Sequence, residues 1–186
     1  MEERAAKAPE LIETERLLLR RPSRSDAQSV FHRYASDREV TRYLSWPTHR
    51  SIADTLAFIA LSDDEWQRWP AGPYLVLARE NGSPGALVGS SGLFYKSPAR
   101  AITGYVFARD AWGHGYATEA LQAMVDLARQ TGVERLEAVC HAEHIPSAHV
   151  LEKCGFTREE GCREHFVFPN LKPQKKSDVF TFVKQL

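Results

Sequence analysis

The chain has 186 residues and a mass of 21.0 kDa, which suits one domain of ordinary size. Hydrophobic residues make up 43% and charged residues 26%, so disorder of the whole chain is excluded on composition. The 24 Lys and Arg balance the 24 Asp and Glu, and a pI of about 7.1 argues against a dedicated nucleic-acid binder.

The longest apolar run, residues 56–61, is far too short to cross a bilayer, so no membrane partner is expected. Residues 1–10 are charged and carry no apolar signal core, which points to the cytoplasm. Cys140, Cys154 and Cys162 show no CxxC spacing. That speaks against a disulfide framework or zinc knuckle and for a reducing compartment.

In chain order, residues 11–21 read as a first strand, closed by Pro22. Ser23 and Asp26 form a capping-box pair ahead of Ala27, Val30, Phe31 and Tyr34 at helical spacing. A short helical piece is expected over 38–44. Ser51 and Asp54 repeat the capping pattern before a longer helix, with Ile52, Leu56, Ile59 and Ala60 marking one face.

Strands are expected over 74–80, 86–95 and 101–109. The first two are joined at Asn81-Gly82 and the last two through a turn containing Pro98, which describes an antiparallel meander. A helix then runs from the Trp112–Gly115 region to about Gln130, with Ala117, Ala120, Leu121, Met124, Val125 and Ala128 on one face and Gly132 at its end. Residues 133–140 form a strand. Pro146 and Gly155 bracket a further helix, and 163–168 and 178–184 are two last strands. The order describes one mixed α+β domain over residues 1–186.

The stretch Trp112-Gly113-His114-Gly115-Tyr116-Ala117-Thr118 follows a strand and opens a helix. Unpaired N–H groups and the helix dipole there favour an anion, and glycines let it approach the backbone. Neither GxGxxG nor GxxxxGK[ST] is present, so a dinucleotide fold and a nucleotide P-loop are not indicated. A turn that only packs helix on strand is the alternative.

These residues resemble the GNAT superfamily of N-acetyltransferases, in particular its RimJ/RimL-like branch. The resemblance lies in Thr14-Glu15-Arg16-Leu17-Leu18-Leu19-Arg20, in Gly104-Tyr105-Val106 with Trp112 to Ala120, and in Ser147 with Val150-Leu151-Glu152-Lys153-Cys154-Gly155-Phe156. Residues 51–58 fit more weakly. The family pattern [QR]-x-x-G-x-[GA] falls on Trp112, Gly115 and Ala117, with Trp112 departing from it.

The resemblance implies a central, mostly antiparallel sheet of about six to seven strands flanked by helices, with two strands splayed at the cofactor site. It implies acetyl-CoA as cosubstrate, held by Trp112, Gly113, His114, Gly115, Tyr116, Ala117 and Thr118. Pantetheine would pair along the strand edge near Phe107 and Arg109, and His144 and Lys153 lie on the cofactor side. An amine attacks the thioester directly, and a backbone N–H near Phe107 would meet the developing oxyanion.

Many relatives carry a tyrosine acid seven residues after an asparagine. Those positions hold Leu151 and His144 in this chain, so the tyrosine role is absent in that form. Ser147 takes the place of the branch's serine and is the candidate catalytic group. A carboxylate before Gly104 is also missing, since Ile102 and Thr103 stand there. Glu119 reads as structural, because glutamate suits the first turn of a helix. His141 or His144 could serve as base.

No metal is expected, because Cys140, Cys154, Cys162, His141, His144 and His165 match no ligand spacing. Trp46-Pro47 and residues 66–69 are candidate walls for the acceptor. The acceptor is a protein N-terminus or a small amine, the protein a monomer or homodimer. A sensor that binds acyl-CoA without turnover is the rival reading.

Overall fold

The computed structural model describes residues 7–159, 164–171 and 176–186. Cys162 and the start of the strand expected over 163–168 lie outside the described residues.

The first expected strand is two. β1 (Leu11–Glu13) and β2 (Leu17–Arg20) pair antiparallel around a turn in which Thr14 both donates to and accepts from the backbone of Leu17. The side chain of Thr14 closes a turn that hydrophobic periodicity does not register. Leu17 and Leu19 are fully buried, and β2 is the first strand of the core.

The Ser23–Asp26 capping box is present and opens a short compound helix. It begins with a 3-10 turn at Arg24–Asp26, continues as α1 (Ala27–Val30) and ends in a π turn at Phe31–Ala35. No helix follows over 38–44. The carboxylate of Asp37 accepts from the N–H groups of Glu39 and Val40, which holds this stretch as successive turns.

α2 (Ile52–Arg68) is capped by Ser51 and Asp54 as expected, but its buried face is different. Thr55, Ile59, Ser62 and Trp66 face inward, while Ile52, Leu56 and Ala60 are only partly covered or exposed. Two small polar residues occupy the buried stripe, and an apolar count at 3.6-residue spacing misses them.

β3 (Pro73–Glu80), β4 (Ser83–Ser97) and β5 (Arg100–Phe107) form the antiparallel meander. α3 (Tyr116–Gln130) crosses over to β6 (Arg135–His141), which lies parallel to β5. α4 (Ile145–Lys153) leads to β7 (Thr157–Arg158), followed by β8 (Glu164–Val167) and β9 (Lys176–Gln185). β7 and β8 both pair with β9.

The sheet therefore has nine strands among the described residues, in the order β1-β2-β3-β4-β5-β6-β9-β7 with β8 beside β9. That exceeds the expected six to seven. β7, at two residues, is too short to leave a periodic pattern, and the N-terminal strand divides.

α3 lays Ala120, Leu121, Met124, Val125 and Ala128 onto β2, β4 and β5, as its periodicity predicts. The register of β5 against β6 positions the site. Only Arg100↔Arg135, Ala101↔Leu136 and Ile102↔Glu137 are paired. Beyond them β5 continues to Phe107 and β6 to His141 with no ladder between. The one parallel junction of the sheet among the described residues thus opens into a gap, the expected splay.

Candidate functional site

The turn ahead of α3 is shaped by two left-handed residues. Gly113 and Gly115 both have φ of +78°, which L side chains rarely adopt. Gly115 is the N-cap of α3 and provides no side chain to the helix end. Among the described residues, no hydrogen bond ends on the N–H groups of Gly115, Tyr116, Ala117 or Thr118. Four convergent donors at the positive end of a 15-residue helix suit a diphosphate.

Side chains hold this turn in place. Trp112 Nε1 donates to the Phe107 carbonyl at 2.9 Å, which ties the turn to the end of β5. His114 Nδ1 lies 2.9 Å from the Trp112 carbonyl, and its ring stacks on Tyr116 with centroids 5.5 Å apart.

Arg16 donates through Nη1 to the His114 carbonyl at 2.8 Å, and its guanidinium lies over the Tyr116 ring. Glu119 accepts from Thr14 Oγ1, Arg16 N–H and Arg16 Nε at 2.6, 2.8 and 2.7 Å. Its burial works against ionisation, but these hydrogen bonds outweigh it and hold the carboxyl below its usual range. Glu119 is committed to the hairpin, which agrees with its structural reading.

An open groove of about 820 Å³ runs along α3 past Gly115, Thr118 and Gln122 to Lys153, the last residue of α4. Arg109 is not on the strand edge as expected. β5 ends at Phe107, and Arg109 opens a 3-10 turn with its guanidinium paired to Asp37 at 2.7 Å and Glu39 at 2.8 Å.

The gap has chemistry of its own. The Ala108 N–H donates to Val88 on the β4 side, so strand alternation turns the N–H of Phe107 toward the gap. A side chain at Gly104 would meet nothing within 4 Å. The hydroxyl of Ser147, in the first turns of α4, lies 3.0 Å from Tyr105 Oη, which also donates to the Ser147 carbonyl at 3.1 Å. Burial pushes the Tyr105 phenol up, so it is protonated at neutral pH. Burial likewise keeps the neighbouring Cys140 a thiol.

At the mouth of the gap the ring of Tyr43 packs against His141 and His144, each 4.7 Å away between centroids. Phe168 meets His141 edge-on at 4.9 Å. Burial lowers both histidines from their usual value, and the charge of His141 adds to the effect on His144.

The sequence assigned a chemical role to Ser147 but none to its partner Tyr105, nor to Tyr43, Arg16 or Thr14. These meet their partners across sequence separations of 42 to 105 residues, and no local pattern reports such contacts. Of the expected acceptor walls, Trp66 lies in the core and Trp69 is partly buried. Trp66 is 2% exposed and donates to the Pro73 carbonyl, and Trp69 stacks on Tyr95.

Among the described residues, no three His, Cys, Asp or Glu side chains gather as metal ligands would, and no helix is long and apolar enough to cross a membrane.

Comparison with known proteins agrees with this geometry. The uncharacterized N-acetyltransferase p20 of Bacillus licheniformis is 29% identical over 159 residues, spanning 84% of this chain and 87% of p20. An acetyltransferase of the GNAT family from Bacillus anthracis has a crystal structure with a TM-score of 0.76. It is 27% identical, and the match covers 94% of this chain and 98% of that one.

The ribosomal L7/L12 alpha-N-protein acetyltransferase RimL, in complex with coenzyme A, shares the fold. Its TM-score is 0.78 at 22% identity, over 95% of this chain and 98% of that one. The family described as acetyltransferase (GNAT) domain matches residues 16–157, from the arginine that clamps the glycine turn to the strand after α4. With the glycine turn, the opened strands and this match in agreement, the chain belongs to the GNAT acetyltransferase family.

Proposed function

We propose that this protein transfers an acetyl group from acetyl-CoA to a primary amine, a protein N-terminus or a small molecule, within a ternary complex. The observation that carries the reading is the Ser147–Tyr105 hydroxyl pair inside the gap between β5 and β6, 3.0 Å apart. The gap opens beside the anion-binding end of α3. RimL binding coenzyme A on the same fold supports the donor.

In this reading the N–H groups of Gly115 to Thr118 hold the diphosphate, and Trp112, Gly113 and His114 shape the loop around it. Lys153 stands at the far end of the groove for a further phosphate. Bound acetyl-CoA supplies a thioester, an acyl group already activated toward amines.

The Phe107 N–H faces the gap and is placed to meet the oxyanion as the new C–N bond forms. The C–S bond then breaks, and the sulfur leaves as thiolate. A free thiol has a pKa near 8.5, so the leaving group needs modest help. With Tyr105 donating to the Ser147 carbonyl, the Ser147 hydroxyl hydrogen can turn from Tyr105 Oη to the departing sulfur. Much of the rate comes from holding two reactants together.

The test is thiol release with acetyl-CoA and a panel of amines. Ser147→Ala should lower kcat about 10- to 100-fold while acetyl-CoA affinity stays within a few-fold. Tyr105→Phe should fall in the same direction by less, since Ser147 keeps its hydroxyl. An unchanged kcat in Ser147→Ala removes the serine from the chemistry. Tight acetyl-CoA binding by the wild type without thiol release for any amine would leave a sensor module.

A further inference from the structure

The mouth of the gap is spanned by one segment. At its start, Asp37 and Glu39 hold Arg109, just beyond the end of β5. At its end, Tyr43 lies against His141, the last residue of β6, and against His144, the N-cap of α4. Behind it, Asn170 donates to the carbonyls of Thr41 and Trp46 at 2.7 and 2.8 Å and accepts from the Thr48 N–H and hydroxyl. The segment is fixed at three points and closes the side of the gap away from the cofactor turn.

Within this arrangement the two histidines differ. His141 Nδ1 accepts from the Glu143 N–H at 3.1 Å, so in the neutral ring the proton sits on Nε2. The ring nitrogens of His144 carry no hydrogen bond among the described residues, and its ring stacks on Tyr43 at 26°. Its backbone is one helical turn from Ser147, whose N–H donates to the His144 carbonyl at 3.0 Å. Asp37 and Glu39 are engaged by Arg109 and Glu119 by Arg16 and Thr14, while Glu143, one residue before His144, is exposed.

We propose that His144 takes the proton from the acceptor amine, with Tyr43 and His141 as positioning residues that hold its ring at the mouth of the gap. The proposal rests on the acetyltransferase reading and supplies the base that the sequence lacks. The ammonium of the incoming amine gives one proton to a free ring nitrogen of His144. The neutral amine attacks. The nitrogen of the tetrahedral adduct gives up its second proton as the C–S bond breaks, so that the departing sulfur is released as thiol. The imidazolium later releases the first proton to solvent.

The charged and titratable groups around the ring are few. They are Tyr43 on the spanning segment, His141 and Cys140 on β6, and Ser147 with Tyr105 beyond it. Arg42, Glu143 and Asp178 act on it through His141. Burial keeps the ring neutral below the ordinary histidine value.

The test uses the intact protein with acetyl-CoA, and alanine amide or an unblocked tetra-alanine peptide as acceptor. Thiol release is followed from pH 6 to 9.5, with acetyl-CoA binding measured by calorimetry. An α-amine has a pKa of about 7.7–8.0, so it arrives mostly protonated at pH 7 and neutral at pH 9.5. His144→Gln should lose about tenfold or more in kcat/KM at pH 7 and return to within about threefold of wild type at pH 9.5. Its acetyl-CoA affinity should be retained.

Tyr43→Leu should lower kcat/KM by less than His144→Gln does and move the acid limb of kcat upward, toward the ordinary histidine value of about 6.5. A lost side-chain contact without a role in the proton transfer would not move that limb. A His144→Gln profile that superimposes on the wild type overturns the proposal. A wild type that binds acetyl-CoA but releases no thiol overturns the transfer reading, and the base with it.

Discussion

Residues 112–118 form a candidate anion cradle from one continuous stretch of backbone, whereas the mouth of the gap at Tyr43 is assembled from three separated stretches. On the cofactor side the donors are main-chain N–H groups, and two left-handed glycines set their direction. At the other mouth Tyr43, His141, His144, Phe168 and Asn170 contribute side chains that meet only in the folded chain. A cradle of backbone tolerates a change of side chain as long as φ and the open helix end survive. Trp112 shows this. It stands where the family pattern has Gln or Arg, yet its indole ties the turn to Phe107. A wall of side chains has no such tolerance, because each contact depends on the residue type that makes it.

Four substitutions test that contrast, from the largest expected effect to the smallest. Gly115→Val places a β-branched residue at φ +78°, with its Cβ 3.3 Å from the Arg16 guanidinium. Strain of about 1–3 kcal/mol should weaken acetyl-CoA binding by about tenfold or more in calorimetry. Unchanged affinity would mean that the cradle is not made by the backbone.

Asn170→Ala takes a partner from the carbonyls of Thr41 and Trp46 and from both donors of Thr48, although the Thr41 carbonyl keeps the Leu44 N–H and the Thr48 hydroxyl keeps Thr41 Oγ1. Stability in urea should fall by about 1–3 kcal/mol, and KM for the acceptor should rise while acetyl-CoA affinity stays constant. A parallel loss of acetyl-CoA affinity would show that the two sides are not independent.

Glu119→Gln separates clamp from cradle. The Glu119 carboxyl is held below its usual range in the folded chain, so its contribution is present above the unfolded value and is lost as pH falls through the folded one. The variant should be about 1 kcal/mol less stable at neutral pH, because Arg16 is half exposed and screened. The difference from wild type should shrink below about pH 4, where the unfolded carboxyl also takes its proton. Urea titrations at pH 7 and pH 3.5 measure both arms.

Trp112→Phe removes a single hydrogen bond, to Phe107. Acetyl-CoA affinity should change by less than about threefold. A larger effect would give the indole a direct part in binding.

Much of the fold was legible because it rests on local rules. Capping boxes at Ser23 and Ser51, the Asn81-Gly82 hairpin, the stripe of α3 and the Pro146–Gly155 bracket all stand as read. The misreadings share one cause. Thr14 divides the first strand, Asp37 turns a stretch that looks helical, and Thr55 and Ser62 occupy the buried face of α2. In each case a polar side chain did what an apolar count assigns elsewhere.

The sequence by itself determined the order of elements, the glycine turn at the head of α3 and, through its resemblance, the family. Helical and strand periods, caps and left-handed glycines act within a few residues, where chain neighbours decide the conformation. Only the tertiary structure decided that β5 and β6 part after Ile102 and Glu137, that Tyr105 meets Ser147 and that Tyr43 reaches His144. Those contacts join residues dozens to more than a hundred positions apart. They form when the sheet register and the packing of α3 and α4 place them together, and no local pattern carries that information.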